Sequence, residues 1–273
     1  MRFFLPLAIR QFLGGMWHNY QTIFTKKSLL HSLQGSGTKC NVCGWEGRAF
    51  TDDQWHPGTI CPSCGSQVRH RMLAAVLDGL SSASDRDEKS LLSGKSLLHF
   101  APERQLRDRI RLAAATYTTA DFDRGDCDLR LDISSMPTIP ACSYDVLIAC
   151  DVLEHVPDDT AAFHEIVRVL KPGGTAILTV PQMDPPSQTD ENPNVKSEKE
   201  REKRFGQKDH VRMYGDDFQE RLKRVGLIVT VIDKSRFSTS VLTNHGLYPP
   251  AENSSRLATN QRRIYFADKP KAS

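Results

Sequence analysis

No stretch of this 273-residue chain is apolar over the ~20 residues that a membrane-crossing helix needs. The apolar run in the opening segment MRFFLPLAIRQFLGGMWHNY is interrupted by Pro6 and Arg10, and no small-residue cleavage site completes a signal peptide. The expectation is a cytoplasmic protein. Phe4, Leu5, Ala8, Ile9, Phe12 and Leu13 would share one face of a helix, suited either to docking on the protein's own body or to peripheral contact with a membrane surface. A strong excess of one charge is also missing: 36 Lys and Arg against 33 Asp and Glu leave +3, too little to argue for nucleic acid as a partner. Nor is there an even cysteine count. Seven cysteines, four of them in CxxC pairs, suit a reduced compartment with a metal site better than a secreted disulfide framework.

What is present begins with Tyr144 to Pro181, which reads as one strand-helix-strand unit. Val146 to Cys150 is wholly apolar, as a parallel strand buried on both faces should be. Asp158 or Asp159 can cap the following helix, whose Phe163, Ile166, Val167 and Leu170 form one apolar stripe. Lys171-Pro172-Gly173-Gly174 then breaks it, and Ala176 to Val180 resumes as a second strand. Strands joined in this way make a right-handed crossover, and open α/β sheets bind ligands at the carboxyl ends of their strands. Cys150, Asp151 and the loop to His155 are therefore expected to wall a site.

The pairs Cys40-Asn-Val-Cys43 and Cys61-Pro-Ser-Cys64, seventeen residues apart, have the spacing of a four-cysteine zinc ribbon. Gly44 and Gly65 follow each pair where a tight knuckle needs glycine. Four thiolates close a tetrahedral shell and leave no position for water, so the ion would be structural; a redox role for the CxxC pairs is the alternative. The residues between them hold aromatics but no dense basic stripe, although ribbons as a class also bind nucleic acid or protein. Ser66 to Leu80 should form a helix bridging the ribbon to the rest, with Arg69, His70 and Arg71 facing either an anionic substrate or solvent.

DVLEHVPDD followed by RVLKPGG and a strand ending in Pro181 resembles the region after strand four of class I S-adenosylmethionine-dependent methyltransferases of type 11. The likeness extends over about residues 95–267. CPSCGSQVRHR together with HFAPE is also similar to bacterial methyltransferase-like proteins that carry a zinc ribbon and a variant cofactor loop. The resemblance implies an α/β, Rossmann-like sheet of seven strands, mostly parallel with an antiparallel final strand, and S-adenosyl-L-methionine as cofactor beside structural Zn2+. In its register His99 stands where an acid is expected, while Ala101 and Glu103 replace glycines. Asp121, ending the second strand (117–120), is placed to accept the ribose hydroxyls, with Asp123 and Asp126 as rivals. Asp132 and Ile133, ending the third strand (129–133), would flank the adenine, and Asp151 would complete the cofactor side.

The domain organisation expected is an amphipathic segment at 1–37, a ribbon with its bridging helix at 38–80, a polar linker at 81–94 and a methyltransferase-like domain at 95–273. Within the last, 184–204 is a charged excursion over the site. The chain returns in FGQKDHVRMYGDDF, similar to a motif beside the family's active cleft. His155 and His210 are the candidate bases for a hydroxyl acceptor, Asp151 or Asp209 the orienting partners, and Arg212 a holder of anionic or polyhydroxyl groups. Relatives linked to glycan synthesis suggest a sugar or glycan hydroxyl as acceptor, a small molecule being the broader expectation. The competing reading is a binding protein that has lost the cofactor and recognises nucleic acid or a protein through its ribbon.

Overall fold

A computed structural model describes residues 26–81, 91–184 and 188–271. The amphipathic stretch before residue 26 and most of the polar linker lie outside the described residues. Among those described, no helix is long and apolar enough to cross a membrane.

Among the described residues the chain forms eleven short strands. β1 (Thr38–Lys39) and β2 (Glu46–Gly47) form the ribbon hairpin. The main sheet takes β3 (Ser96–Phe100), β4 (Thr116–Asp121), β5 (Leu129–Arg130), β6 (Tyr144–Cys150) and β7 (Leu170–Thr179). A separate pair, β8 (Asp190–Glu191) and β9 (Arg212–Met213), precedes β10 (Ile228–Ile232) and β11 (Ile264–Asp268), which close the sheet. The spatial order is β10-β11-β7-β6-β3-β4-β5, parallel throughout except that β11 runs antiparallel to both its neighbours. The expected seven-stranded sheet is thus present. Its third strand stops at Arg130, two residues before Asp132.

The unit from Tyr144 to Pro181 folds as its periodicity requires. Its helix, Asp159–Val169, is capped by Asp158, whose Oδ1 accepts from the N–H of Ala161 at 2.9 Å, and Phe163 and Ile166 enter the core. Lys171 to Gly174 then bulge out opposite Asp145, since Tyr144 faces Leu170 while Val146 already faces Thr175. A Cβ on Gly174 would meet the carbonyl oxygens of Lys171 and Asp145 at 2.9 and 3.0 Å, so only glycine fits the bulge.

The helix expected to bridge the modules, Val68–Leu77, lies on the sheet itself. Met72, Leu73, Val76 and Leu77 pack with Leu97, Ile148 and Phe266 in one of the two large core clusters. Arg71 is buried rather than facing substrate or solvent. It donates to the carbonyls of Ser66, His245 and Gly246 at 2.6 to 2.8 Å and stacks over Phe50 at 4.1 Å, which welds the ribbon to the end of the helix Thr239–His245. The charged excursion folds as well. Ser197 and Gly206 cap a helix, Glu198–Phe205, and Phe205 is buried with Met183 and Met213.

Candidate active site

Each CxxC pair makes the same knuckle. The N–H of Gly44 reaches the Cys40 carbonyl and that of Gly65 the Cys61 carbonyl, both at 2.8 Å, with both glycines at positive φ. The four sulfurs converge: Cys40 to Cys64 and Cys43 to Cys61 are each 3.8 Å apart. Zinc at ~2.3 Å from each sulfur in a tetrahedron requires an edge of about 3.8 Å, so the donor set fits zinc in both chemistry and spacing.

At the end of β3 the chain turns through Ala101, whose φ of 46° lies in the left-handed region that glycine ordinarily supplies. Alanine there performs the sharp turn at a strain of about 1–2 kcal/mol. Two residues on, Glu103 is captured by the bridging helix. Its Oε1 lies 2.9 Å from Arg69 Nε and 2.6 Å from His70 Nε2. His70 Nδ1 accepts from the N–H of Gln67, so Nε2 carries the proton and donates. Burial opposes charge on Glu103, yet the His70 and Arg69 contacts hold its pKa below the ordinary carboxylate value. The motifs QVRHR and HFAPE are therefore two halves of one contact.

His99 stands inside the sheet, its Nδ1 2.9 Å from the Tyr117 hydroxyl and its Nε2 without a partner. Burial pushes its pKa down to about 4, so it is neutral near pH 7 and does not supply the charge of the acid it replaces. Asp121 ends β4 and closes the next turn, its Oδ1 accepting from the N–H groups of Asp123 and Arg124, while Oδ2 takes no part in these bonds. Asp132 likewise uses Oδ1 for the N–H and hydroxyl of Ser134, and Ile133 beside it is buried. These residues fit the cofactor implied by the fold: a turn taken without glycine, a carboxylate with an oxygen to spare and a buried aliphatic at the adjoining strand end.

β6 delivers Asp151 at a φ of 52°, a strained position for a residue with a Cβ. Thr179 Oγ1 donates to Oδ1 at 2.9 Å, Arg262 Nη1 lies 3.0 Å from Oδ2, and Arg69 Nε lies 3.4 Å from it. Burial would raise the pKa of this carboxyl, but the arginines win and hold it at about 2. The next turn, Leu153–His155, meets the returning segment as expected: the N–H of Val211 donates to the Glu154 carbonyl at 2.9 Å, and the His155 and His210 rings meet edge to face at 4.8 Å. His155 Nδ1 is 3.4 Å from Asp209 Oδ2. Burial lowers the His210 pKa, and burial followed by the nearby Asp151 raises that of Glu154 well above its ordinary value.

Asp151, Glu154, His155 and His210 line a cavity of about 550 Å³. The same cavity is lined by the ribbon loop from Asp53 to His56 and by Leu257 to Thr259. The two are tied by His56 Nε2 to Asn260 Oδ1 at 2.8 Å and by Asn253 Nδ2 to the Trp55 carbonyl at 2.6 Å.

Arg212 departs from its expected place. It does not line this cavity; it lies buried behind the loop, donating to the carbonyls of Leu153, Val156 and Pro157 and to Glu191 Oε2. Its planar fork gathers three carbonyls of one turn, so it shapes the cavity from outside. Sequence reasoning did not single out Glu154 or Arg262. Glu154 sat in plain view within DVLEH, whereas nothing near Arg262 announces a partner 111 residues away.

Residues 94–178 match the family model described as a methyltransferase domain. No curated protein is close enough in sequence to count as a relative. Among solved structures, the [4+2]-cyclase SpnF shares 16% identity at a TM-score of 0.50, covering 82% of this chain and 87% of that one. An S-adenosylmethionine dependent methyltransferase from Mesorhizobium loti shares 14% identity at a TM-score of 0.45 over 66% of this chain and 94% of that one. The Burkholderia thailandensis 1,6-didemethyltoxoflavin-N1-methyltransferase shares 13% at 0.45, covering 75% and 88%. The strand order and the antiparallel β11 are those of the class I, Rossmann-like methyltransferase fold, and the segment that matches the methyltransferase-domain model lies within that sheet.

Proposed function

We propose that this protein transfers a methyl group to a hydroxyl of a small polyhydroxyl or glycan acceptor held in the cavity between the β6 strand end and the ribbon loop. The carrying observation is the cavity's composition, which brings Asp53, Trp55, His56 and Gln207 into one lining with Asp151 and His155. Planar hydrogen-bonding groups beside an aromatic face suit a ring that bears several hydroxyls. S-adenosylmethionine, when bound against Asp121, the Ala101 turn and Asp132–Ile133, supplies the methyl group. The chain's own part is to position the acceptor and to take charge of its proton. His155 is the half-buried member of the cluster, and Asp209 orients its ring, so the acceptor oxygen docks there.

Capture of Glu103 by Arg69 and His70 favours one rival, a binding protein in which the cofactor loop is held shut from inside. Calorimetry with S-adenosylmethionine separates the two, and a screen of sugars and glycans for S-adenosylhomocysteine release then identifies the acceptor. Binding near micromolar strength is expected. A folded, zinc-loaded protein that shows no heat with the cofactor would end the methyltransferase reading. The soluble, reduced setting expected from the sequence belongs to the same proposal.

A further inference from the structure

Two side chains on the cavity floor carry atoms with no partner. Glu154 is 1% exposed and its Oε2 bonds to nothing, and His210 is 2% exposed with an unpaired Nε2. A buried polar atom without a partner is destabilising, so two of them in one constellation call for a ligand. Both belong to one constellation. A ligand atom from each of Glu154, His155 and His210 lies within 4.8 Å of the other two, and His155 Nε2 stands 4.0 Å from Glu154 Oε1.

The outward nitrogen of each ring is already engaged. His210 Nδ1 donates to the Phe205 carbonyl at 2.9 Å, which leaves Nε2 as a bare lone pair, and His155 Nδ1 faces Asp209 at 3.4 Å. Metal-bound histidines are held in this way, with a carbonyl or carboxylate on the far nitrogen fixing both tautomer and ring direction. Asp151 is excluded from the set because Arg262 and Arg69 already neutralise it.

We propose that Glu154, His155 and His210 bind one divalent first-row transition ion, of the manganese-to-zinc range, separate from the ribbon zinc. Two imidazole nitrogens and one carboxylate oxygen suit that class of ion. Ligand atoms around an ion at ~2.1 Å stand about 3–3.5 Å apart, so roughly one ångström of side-chain movement closes the set. Three protein ligands leave coordination positions open to the cavity. With the ion bound, His155 would hold the acceptor through the metal instead of taking its proton itself: a hydroxyl on an open position would be a stronger acid and would give its proton to solvent. The inference deepens the acceptor reading above, but it stands on ligand geometry and is tested by metal uptake alone.

The test uses the full-length, zinc-loaded protein and Mn2+, which a thiolate shell does not select, followed by electron paramagnetic resonance of free Mn2+. Equilibrium dialysis with Co2+ supplies a second probe. One ion per chain beyond the ribbon zinc is expected. Glu154→Gln, which changes little in shape, and His210→Ala should each weaken uptake at least tenfold, while Cys142→Ser at the far end of the sheet leaves it unaltered; circular dichroism checks folding. Absence of any ion beyond the ribbon zinc with either probe overturns the proposal, as does uptake that survives both substitutions. Cofactor binding without this ion would remove the site and leave the methyltransferase reading standing, and the reverse result would do the opposite.

Discussion

Replacing Glu103 by alanine removes the carboxylate that joins the cofactor loop to the bridging helix. The group is 11% exposed at its side chain and accepts two charge-assisted bonds, at 2.9 Å from Arg69 and 2.6 Å from His70. Breaking a buried pair by deleting one partner costs about 3–5 kcal/mol. Arg69 keeps Gln67 and Asp151 as partners, so the low end, about 3 kcal/mol, applies. At ~2–4 °C per kcal/mol for a domain of this size, Tm should fall by roughly 6–12 °C. Glu103→Gln, which retains an acceptor oxygen without the charge, should lose about half as much. Thermal and urea unfolding of both variants, with Arg69→Ala and the double variant, completes a cycle whose coupling should be about 1–3 kcal/mol. A Tm within a degree of wild type, or strictly additive single effects, would show that the ribbon helix and the loop are merely neighbours.

The cysteine spacing leads to an expected ~1 tightly held zinc in the ribbon per chain; Cys61→Ser should release it and unfold the hairpin, and elemental analysis of wild-type protein without zinc would contradict this. Asp121→Ala should weaken S-adenosylmethionine binding by about 1–3 kcal/mol, read by calorimetry; unchanged affinity would move the ribose contact to Asp123. Asp145 governs an acid limb: burial would raise its pKa, but Lys171 at 2.8 Å and Ser96 hold it at about 2. Because the folded value lies below the unfolded ~3.9, this contribution is complete above about pH 4 and disappears as pH falls toward 2. Urea midpoints of wild type should therefore drop more steeply over that window than those of Asp145→Asn, and parallel curves would refute the assignment.

Much of the fold was legible because its signals are local. The knuckles need only neighbours in sequence, and the apolar run, capped helix and glycine break of the central unit each report on residues within a few positions. The meeting of His155 with His210 was legible through the fold, since both follow segments that the topology delivers to one strand end. Side-chain allegiance was not. Arg69, His70 and Arg71 read as a cationic patch, yet one binds a carboxylate on a loop more than thirty residues away and another binds only backbone carbonyls. Arg212 misled for a related reason: a guanidinium that satisfies main-chain oxygens has no counterpart in the sequence to reveal it. The charged excursion holds a helix that its composition does not announce, because one buried Phe205 and two caps are enough to anchor eight residues.

The cavity wall that comes from the ribbon loop has a consequence for how such an enzyme can change. In the proposed reaction the sheet and its strand ends would handle the methyl donor and the proton, whereas Asp53 to His56 line the acceptor cavity from a loop between the two cysteine pairs. The loop's side-chain ties run to its own turn and to Asn253 and Asn260, not to the strands of the parallel sheet. Changes confined to that loop could alter the acceptor wall while leaving the ribbon's grip on Glu103 and Asp151 through Arg69 in place.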